Sequence, residues 1–116
     1  MYHKAGELEH IFNEHMKGGT GTVEVIHSVQ AGDYESRAKM IARLILRPGC
    51  SLGDHTHEGE EEIITILSGT ADYNDNGTPV KLTAGDSCVC RNGNHHGIAN
   101  ADKQENLILM AVVIYL

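Results

Sequence analysis

The 116 residues of this chain fit one hydrophobic core, so we expect a single domain over residues 1–116. Sixteen acidic residues against nine basic ones give a formal net charge of -7, which repels phosphate backbones and anionic lipids and argues against nucleic-acid and membrane binding. No apolar run reaches the roughly 20 residues of a membrane span, and residues 1–7 lack the apolar core of a signal peptide, so we expect a cytoplasmic protein.

Residues 8–16 carry apolar side chains near helical spacing, and Gly18 and Gly19 follow soon after as a stop signal. This pattern predicts one short N-terminal helix. From Thr20 onward, short β-branched runs are separated by turn residues, which predicts strands over 22–29, 38–46, 62–67, 70–73, 79–82, 87–90 and 107–115. Closely spaced strands with no helix between them are typical of an all-β sandwich or barrel.

The segment Asn74-Asp75-Asn76-Gly77 is a strong turn signal between two of these strands. Asn, Asp and Gly tolerate the positive φ angles that tight turns require. We therefore expect the strands over 70–73 and 79–82 to be antiparallel neighbours.

The last ten residues, 107–116, form an apolar run that is more continuous than a strand with one exposed face should be. A homodimer that buries the second face would explain this composition. The alternative is a central strand that is covered on both sides within one chain.

Two histidines one residue apart, His55 and His57, precede Glu62, and His96 lies well downstream. Alternate side chains of a strand share a face, so the two histidines can point the same way and a hairpin can return Glu62 opposite them. A turn, an apolar strand and a second glycine turn after Gly85 lead to His96. Three imidazoles and a carboxylate suit Mn, Fe, Co, Ni, Cu or Zn and are poor for Ca, which prefers oxygen ligands. Four protein ligands close a tetrahedral site but leave two positions open on an octahedral ion.

These two segments resemble the paired motifs of the cupin superfamily, over residues 49–69 and 85–100. The first motif is complete, with Gly49, His55, His57, Glu62 and Gly69. The second has Gly85, Gly93, His96 and Asn100, but Arg91 replaces the usual proline. The resemblance implies an antiparallel jelly-roll barrel with one divalent metal ion inside, held by His55, His57, Glu62 and His96. Glu62 is preferred to Glu61 because only Glu62 keeps the motif's six residues before Gly69.

Residues around the four expected ligands have weaker assignments. We expect a solvated acidic rim at Glu58, Glu60 and Glu61, and ordinary surface or hydrogen-bonding roles for His3, His10, His15 and His95. Residues that could contact the pocket or support it are His27, Arg43, Tyr73 and Asn100; of these, Asn100 is expected to tie a turn to its own backbone. The sequence assigns no general base.

Small cupins include dioxygenases, oxalate-type decarboxylases, sugar-phosphate isomerases and cyclases. The resemblance therefore implies a metal-dependent enzyme that acts on a small organic molecule, such as an organic acid or a sugar derivative, without selecting the reaction. One alternative is a binding or sensing module that holds a small molecule on its metal without turnover. Another is an ion that only stabilises the barrel, for which a sealed tetrahedral site would be typical.

Overall fold

The computed structural model describes all 116 residues, which form two antiparallel sheets and almost no helix. The strands are β1 (Ile11–Glu14), β2 (Thr22–Val29), β3 (Ala38–Leu46), β4 (Ser51–Thr56), β5 (Glu60–Ser68), β6 (Thr70–Asp75), β7 (Thr78–Thr83), β8 (Ser87–Cys90), β9 (His95–Asn100) and β10 (Leu107–Tyr115). One sheet has the order β1-β2-β3-β10-β5-β8, and the other has the order β4-β9-β6-β7. The predicted all-β jelly roll is confirmed. No helix is long and apolar enough to cross a membrane.

The core lies between the two sheets and follows the period of two that strands impose on their side chains. In β10, Leu107, Leu109, Ala111 and Val113 are buried, while the residues between them are only partly covered. The six-stranded sheet faces the four-stranded one, which contributes Leu52, Ala71, Tyr73, Leu82 and Ile98 to the same cluster. Burial of these apolar side chains is the main favourable contribution to folding.

The predicted N-terminal helix over residues 8–16 is wrong. The structure has a 3-10 turn at Ala5–Glu7, then β1, then a second 3-10 turn at Met16–Gly18. β1 pairs antiparallel with β2, with Ile11 opposite Val25. Ile11 is partly buried and the neighbouring Phe12 is 56% exposed, so the segment alternates like a strand. Only four apolar residues support the helical spacing, so the helical preference of this segment is weak. Backbone hydrogen bonds to the free edge of β2 outweigh it.

The turn at residues 74–77 joins β6 and β7, with Asp75 opposite Thr78. Asn76 and Gly77 adopt φ angles of 49° and 97°, as a tight two-residue hairpin requires. The predicted antiparallel pair is therefore confirmed. By contrast, β4 and β5 lie in different sheets, so the expected hairpin between them is wrong and residues 57–59 cross from one sheet to the other.

The C-terminal strand β10 lies in the centre of the six-stranded sheet, between β3 and β5. Its outward residues are apolar, and one of them, Val112, lies between Ile41 and Ile63. These three side chains are only partly buried. The outer face of this sheet therefore carries an apolar patch around Val112 that the chain itself does not cover fully.

The Met16–Gly18 turn packs against β4 with backbone touching backbone. A Cβ atom on Gly53 would overlap the carbonyl oxygen of Lys17, and a Cβ atom on Gly19 would overlap the carbonyl oxygen of Ser51. Only glycine permits such a close approach at both positions. The two glycines thus hold the turn against the strand that carries His55.

Candidate metal centre

The structure brings the four expected ligands together inside the barrel. Each offers one ligand atom, and these atoms all lie within 4.8 Å of one another. His55 on β4 and His96 on β9 are cross-strand partners, and Glu62 faces them from β5 in the other sheet. His57 follows β4, where its backbone exchanges hydrogen bonds with residues 93 and 94 of the turn before β9. The two glycine-framed segments therefore meet at one point.

The donor atoms are close enough to share one ion. His57 Nε2 lies 3.1 Å from His55 Nε2, 3.1 Å from His96 Nε2 and 3.0 Å from Glu62 Oε1. His96 Nε2 lies 2.8 Å from the same carboxylate oxygen. His57, Glu62 and His96 are at most 7% exposed. The cluster is suited to bind a metal ion.

Each of the three imidazoles has its other ring nitrogen fixed by a partner outside the cluster. His55 Nδ1 donates to the Gly53 carbonyl oxygen at 2.7 Å, and His57 Nδ1 donates to Glu60 at 2.9 Å. His96 Nδ1 lies 2.8 Å from the Tyr73 hydroxyl. An imidazole that donates from Nδ1 presents a lone pair at Nε2, and such outer partners orient metal-binding histidines. The residues present therefore fit a metal ion.

Glu60 is not part of a solvated acidic rim, so the expectation is wrong for this residue. Its side chain is only 12% exposed and bridges His57 and the ammonium of Lys39, whose Nζ lies 2.8 Å away. The hydrogen bond from Lys39 holds the pKa of Glu60 below its usual value. Glu60 and Glu62 share one face of β5 because they are two residues apart. Glu58, by contrast, is exposed and forms no ion pair.

Burial favours the uncharged forms of four side chains in or near the cluster, which are His55, Tyr73, Cys88 and Cys90. Burial lowers the pKa of His55, which favours the neutral imidazole that a metal ligand needs. Burial also raises the pKa of the Tyr73 hydroxyl and raises the pKa of both the Cys88 and Cys90 thiols to about 11. Cys90 lies opposite Glu62 in the β5–β8 pair. Neutral thiols there add a small apolar wall beside the carboxylate.

A cavity of about 230 Å³ opens onto the cluster and is lined by His55, His57 and Glu62. Five of its twelve lining residues are apolar: Met16, Met40, Leu44, Leu52 and Val113. Two lysines, Lys17 and Lys39, also line it. The chain as a whole is acidic, so two lysines at one cavity are a local exception. Apolar walls strengthen electrostatic interactions at an ion and limit its hydration.

The other residues considered from the sequence lie as follows. Tyr73 contacts the cluster through His96. Asn100 donates to the carbonyl oxygens of Leu46 and Glu105, so its expected structural role is confirmed. Arg43 and His27 do not line the cavity, and His95 pairs with Asp54 away from the cluster.

Sequence reasoning missed Glu60, Lys17 and Lys39. For Glu60, the spacing of two residues from Glu62 was a usable signal. Lys17 and Lys39 reach the cavity through contacts between distant segments, which no local pattern in the sequence reveals.

The chain matches the family model of the cupin domain over residues 42–113. An oxalate-binding protein from Thermotoga maritima is 42% identical to it over 101 residues, which make up 87% of this chain and 83% of that protein. The crystal structure of a predicted oxalate decarboxylase from Thermotoga maritima superposes with a TM-score of 0.94 at 38% identity, and the match covers 100% of both chains.

The structure of KdgF from a Halomonas species superposes with a TM-score of 0.73 over 100% of this chain and 96% of that one. At 16% identity this likeness concerns the fold alone. The family model, in contrast, spans more than half of the chain, including all four residues of the cluster. This chain therefore belongs to the cupin family.

Proposed function

We propose that this protein is a metal-dependent enzyme that binds a small organic acid of the oxalate class. A divalent transition metal ion (Mn, Fe, Co, Ni, Cu or Zn) is held by His55, His57, Glu62 and His96. The observation that carries the proposal is a set of three Nε2 atoms and one carboxylate that opens into a cavity. Bound in that cluster, the ion would supply Lewis-acid chemistry and a point of attachment for a chelating acid.

The spacing of the donor atoms supports an ion with open positions. For ligands about 2.1 Å from a metal, neighbours at right angles are about 3.0 Å apart, whereas tetrahedral neighbours are about 3.4 Å apart. Four of the six donor pairs in the cluster are separated by 2.8 to 3.1 Å, and all six lie within 4.8 Å. This spacing favours the octahedral arrangement, in which two positions remain for a ligand, over a sealed tetrahedral site.

The relatives support the choice of ligand. One is named for oxalate binding and the other for a predicted oxalate decarboxylase, and both are similar over most of this chain. A carboxylate chelates a divalent ion through oxygen atoms, and the loaded cluster retains positive charge because Glu62 is its only anionic donor. Decarboxylation of oxalate to formate and carbon dioxide is accordingly the first reaction to test.

The second candidate is a binding protein without turnover, and the name of the Thermotoga maritima oxalate-binding protein favours it. In that case the ion and the cavity would hold the acid without converting it. The two candidates share the same metal site and differ only in whether product forms.

The metal site is tested first, by elemental analysis of the purified protein and by chelator competition. His57→Ala should lose most of the metal affinity, and the matched variant His95→Ala should keep it because His95 faces Asp54 instead. Equal affinities in the two variants would overturn the ligand assignment. Oxalate is then added to the loaded protein while binding, formate and carbon dioxide are measured. Binding with product supports the enzyme, binding without product supports the second candidate, and no binding overturns the oxalate-class ligand.

We also propose that the protein is a homodimer. The outer face of the six-stranded sheet carries Ile41, Ile63 and Val112 side by side, only partly covered by the chain itself. Contiguous exposed apolar patches on soluble proteins typically mark association sites. A second copy of the same face would bury this surface with two-fold symmetry. Light scattering at micromolar concentration tests the proposal, and a monomer would remove it.

A further inference from the structure

Only one of the two lysines that line the cavity has an anionic partner. Lys39 Nζ lies 2.8 Å from Glu60, which in turn accepts from His57. The side chain of Lys17 forms no ion pair or hydrogen bond within the chain. Lys17 lines the cavity, and because its ammonium group has no partner within the chain, it is available to interact with a bound anion.

The backbone at Lys17 is held in an unusual conformation. Lys17 has φ 54° and ψ 31°, and His15 has φ 51°, so two residues with side chains occupy the left-handed region within three positions. Each such residue costs about 1 kcal/mol or more, and such costs cluster at functional sites. The close backbone contact at Gly53 fixes the carbonyl of Lys17 against β4. The fold thus stabilises an otherwise unfavourable turn next to the strand of His55.

The charges around the cavity show what Lys17 adds. Lys39 and Glu60 neutralise each other, and a histidine that binds a metal ion does so in its neutral form and adds no charge. Glu62 offsets half the charge of a divalent ion. The ion and Glu62 together would therefore leave one positive charge, which suits a monocarboxylate. The ammonium group of Lys17 adds a second positive charge to the lining of the cavity. The loaded cavity then balances one dianion.

The remaining walls narrow the class of ligand further. Of the seven polar lining residues, three belong to the cluster and Lys39 pairs with Glu60, so only Lys17 and Thr56 remain to meet the polar groups of a ligand. A sugar would bring several hydroxyl groups into a cavity that offers them few partners, and unpaired buried polar groups are costly. A compact dicarboxylate has its polar atoms at its two ends and needs only the ion and one cation.

We propose that Lys17 is a specificity-determining residue that pairs with the second carboxylate of a small dicarboxylate, such as oxalate or malonate. This inference rests on the proposed function, because the first carboxylate binds the metal ion. Lys17 selects dianions over monoanions that chelate the ion equally well. The Met16–Gly18 turn serves to hold that lysine at the cavity.

The test measures binding by calorimetry to protein loaded with Mn²⁺, using oxalate as the dianion and glycolate as a chelating monoanion. Lys17→Met should weaken oxalate binding by about tenfold, as expected for loss of one charged hydrogen bond, and should change glycolate binding by less than about twofold. Lys17→Arg should retain most of the oxalate affinity. Lys17 is exposed, so neither substitution removes a core contact.

Lys103→Met is the matched control, because it removes the same charge from another exposed lysine. Lys103 precedes Leu107, whereas the cavity is lined by Val113 at the other end of β10, about 20 Å along the strand. Equal oxalate affinities in wild type and Lys17→Met would overturn the role of Lys17 and leave the proposed function intact. Equal losses for oxalate and glycolate would also overturn it, since the effect would not depend on the second charge. Failure of wild type to bind either acid would overturn the proposed function and this inference together.

Discussion

Replacing Glu60 with Gln tests whether a residue outside the metal cluster controls its affinity. The substitution keeps the size of the side chain and removes its charge. His57 Nδ1 loses a charged acceptor 2.9 Å away, and Lys39 loses its ion pair. Without a strong acceptor at Nδ1, His57 is a weaker ligand and its ring is less firmly oriented.

The expected magnitude follows from these two contacts. A hydrogen bond to a charged group contributes about 1.5 to 3 kcal/mol and a neutral one about 0.5 to 1.5, so the change costs about 1.4 kcal/mol, or about tenfold in metal affinity. Loss of an outer partner of a metal-binding histidine typically costs about 10- to 100-fold, which agrees. The Lys39 side chain is 47% exposed, so its ion pair adds at most about 1 kcal/mol to folding stability.

Metal affinity is measured by competition with a chromogenic chelator at fixed pH and ionic strength. Glu61→Gln is the matched control, since it removes the same charge one residue away, on the opposite face of β5, from a residue without an ion pair. We expect a tenfold loss for Glu60→Gln and less than a twofold loss for Glu61→Gln. Equal affinities in the two variants would refute the role of Glu60, because charge alone would then account for any effect.

Three further predictions concern the fold. Gly53→Ala should lower the melting temperature by several degrees and weaken oxalate binding, because the added Cβ displaces the Met16–Gly18 turn. Gly6→Ala is the control and should have neither effect, because there is open space around Gly6. Val112→Lys should convert the proposed dimer to a folded monomer of 12.6 kDa in light scattering, and an unchanged mass would contradict the interface. Leu109→Ala should cost about 3 kcal/mol in denaturant unfolding because the side chain is fully buried, whereas Val80→Ala, at an exposed position, should cost less than about 1.

The four residues of the cluster were predictable because their spacing is local within each segment. His55 and His57 share a face, and Glu62 and His96 are framed by glycines at fixed distances. The meeting of the two segments was implied by resemblance to a known family, since spacing alone does not bring residues 62 and 96 together. Seven of the ten strands followed from β-branched runs and turn residues, including the Asn76-Gly77 turn. The strands β4 and β9, which carry His55 and His96, were not among the predicted runs.

The N-terminal segment was not predictable by the same reasoning. Ile11 and Phe12 fit a helical spacing, but the segment becomes a strand because β2 offers an unpaired edge. That edge exists only in the folded sheet. Lys17 and Lys39 likewise reach one cavity because the Met16–Gly18 turn and β3 meet in three dimensions. Tertiary contacts of this kind override local preferences and leave no mark on short sequence windows.

The proposed ligands come from both sheets: His55 and His96 belong to the four-stranded sheet and Glu62 to the six-stranded one. An ion held by all three would link the two halves of the sandwich, and its binding energy would add to the energy of folding. At a free metal concentration of 100 times the dissociation constant, the gain is about 2.7 kcal/mol. In a cell, the lifetime of this protein against proteolysis would then follow the supply of its metal, and starved copies would be degraded before loaded ones.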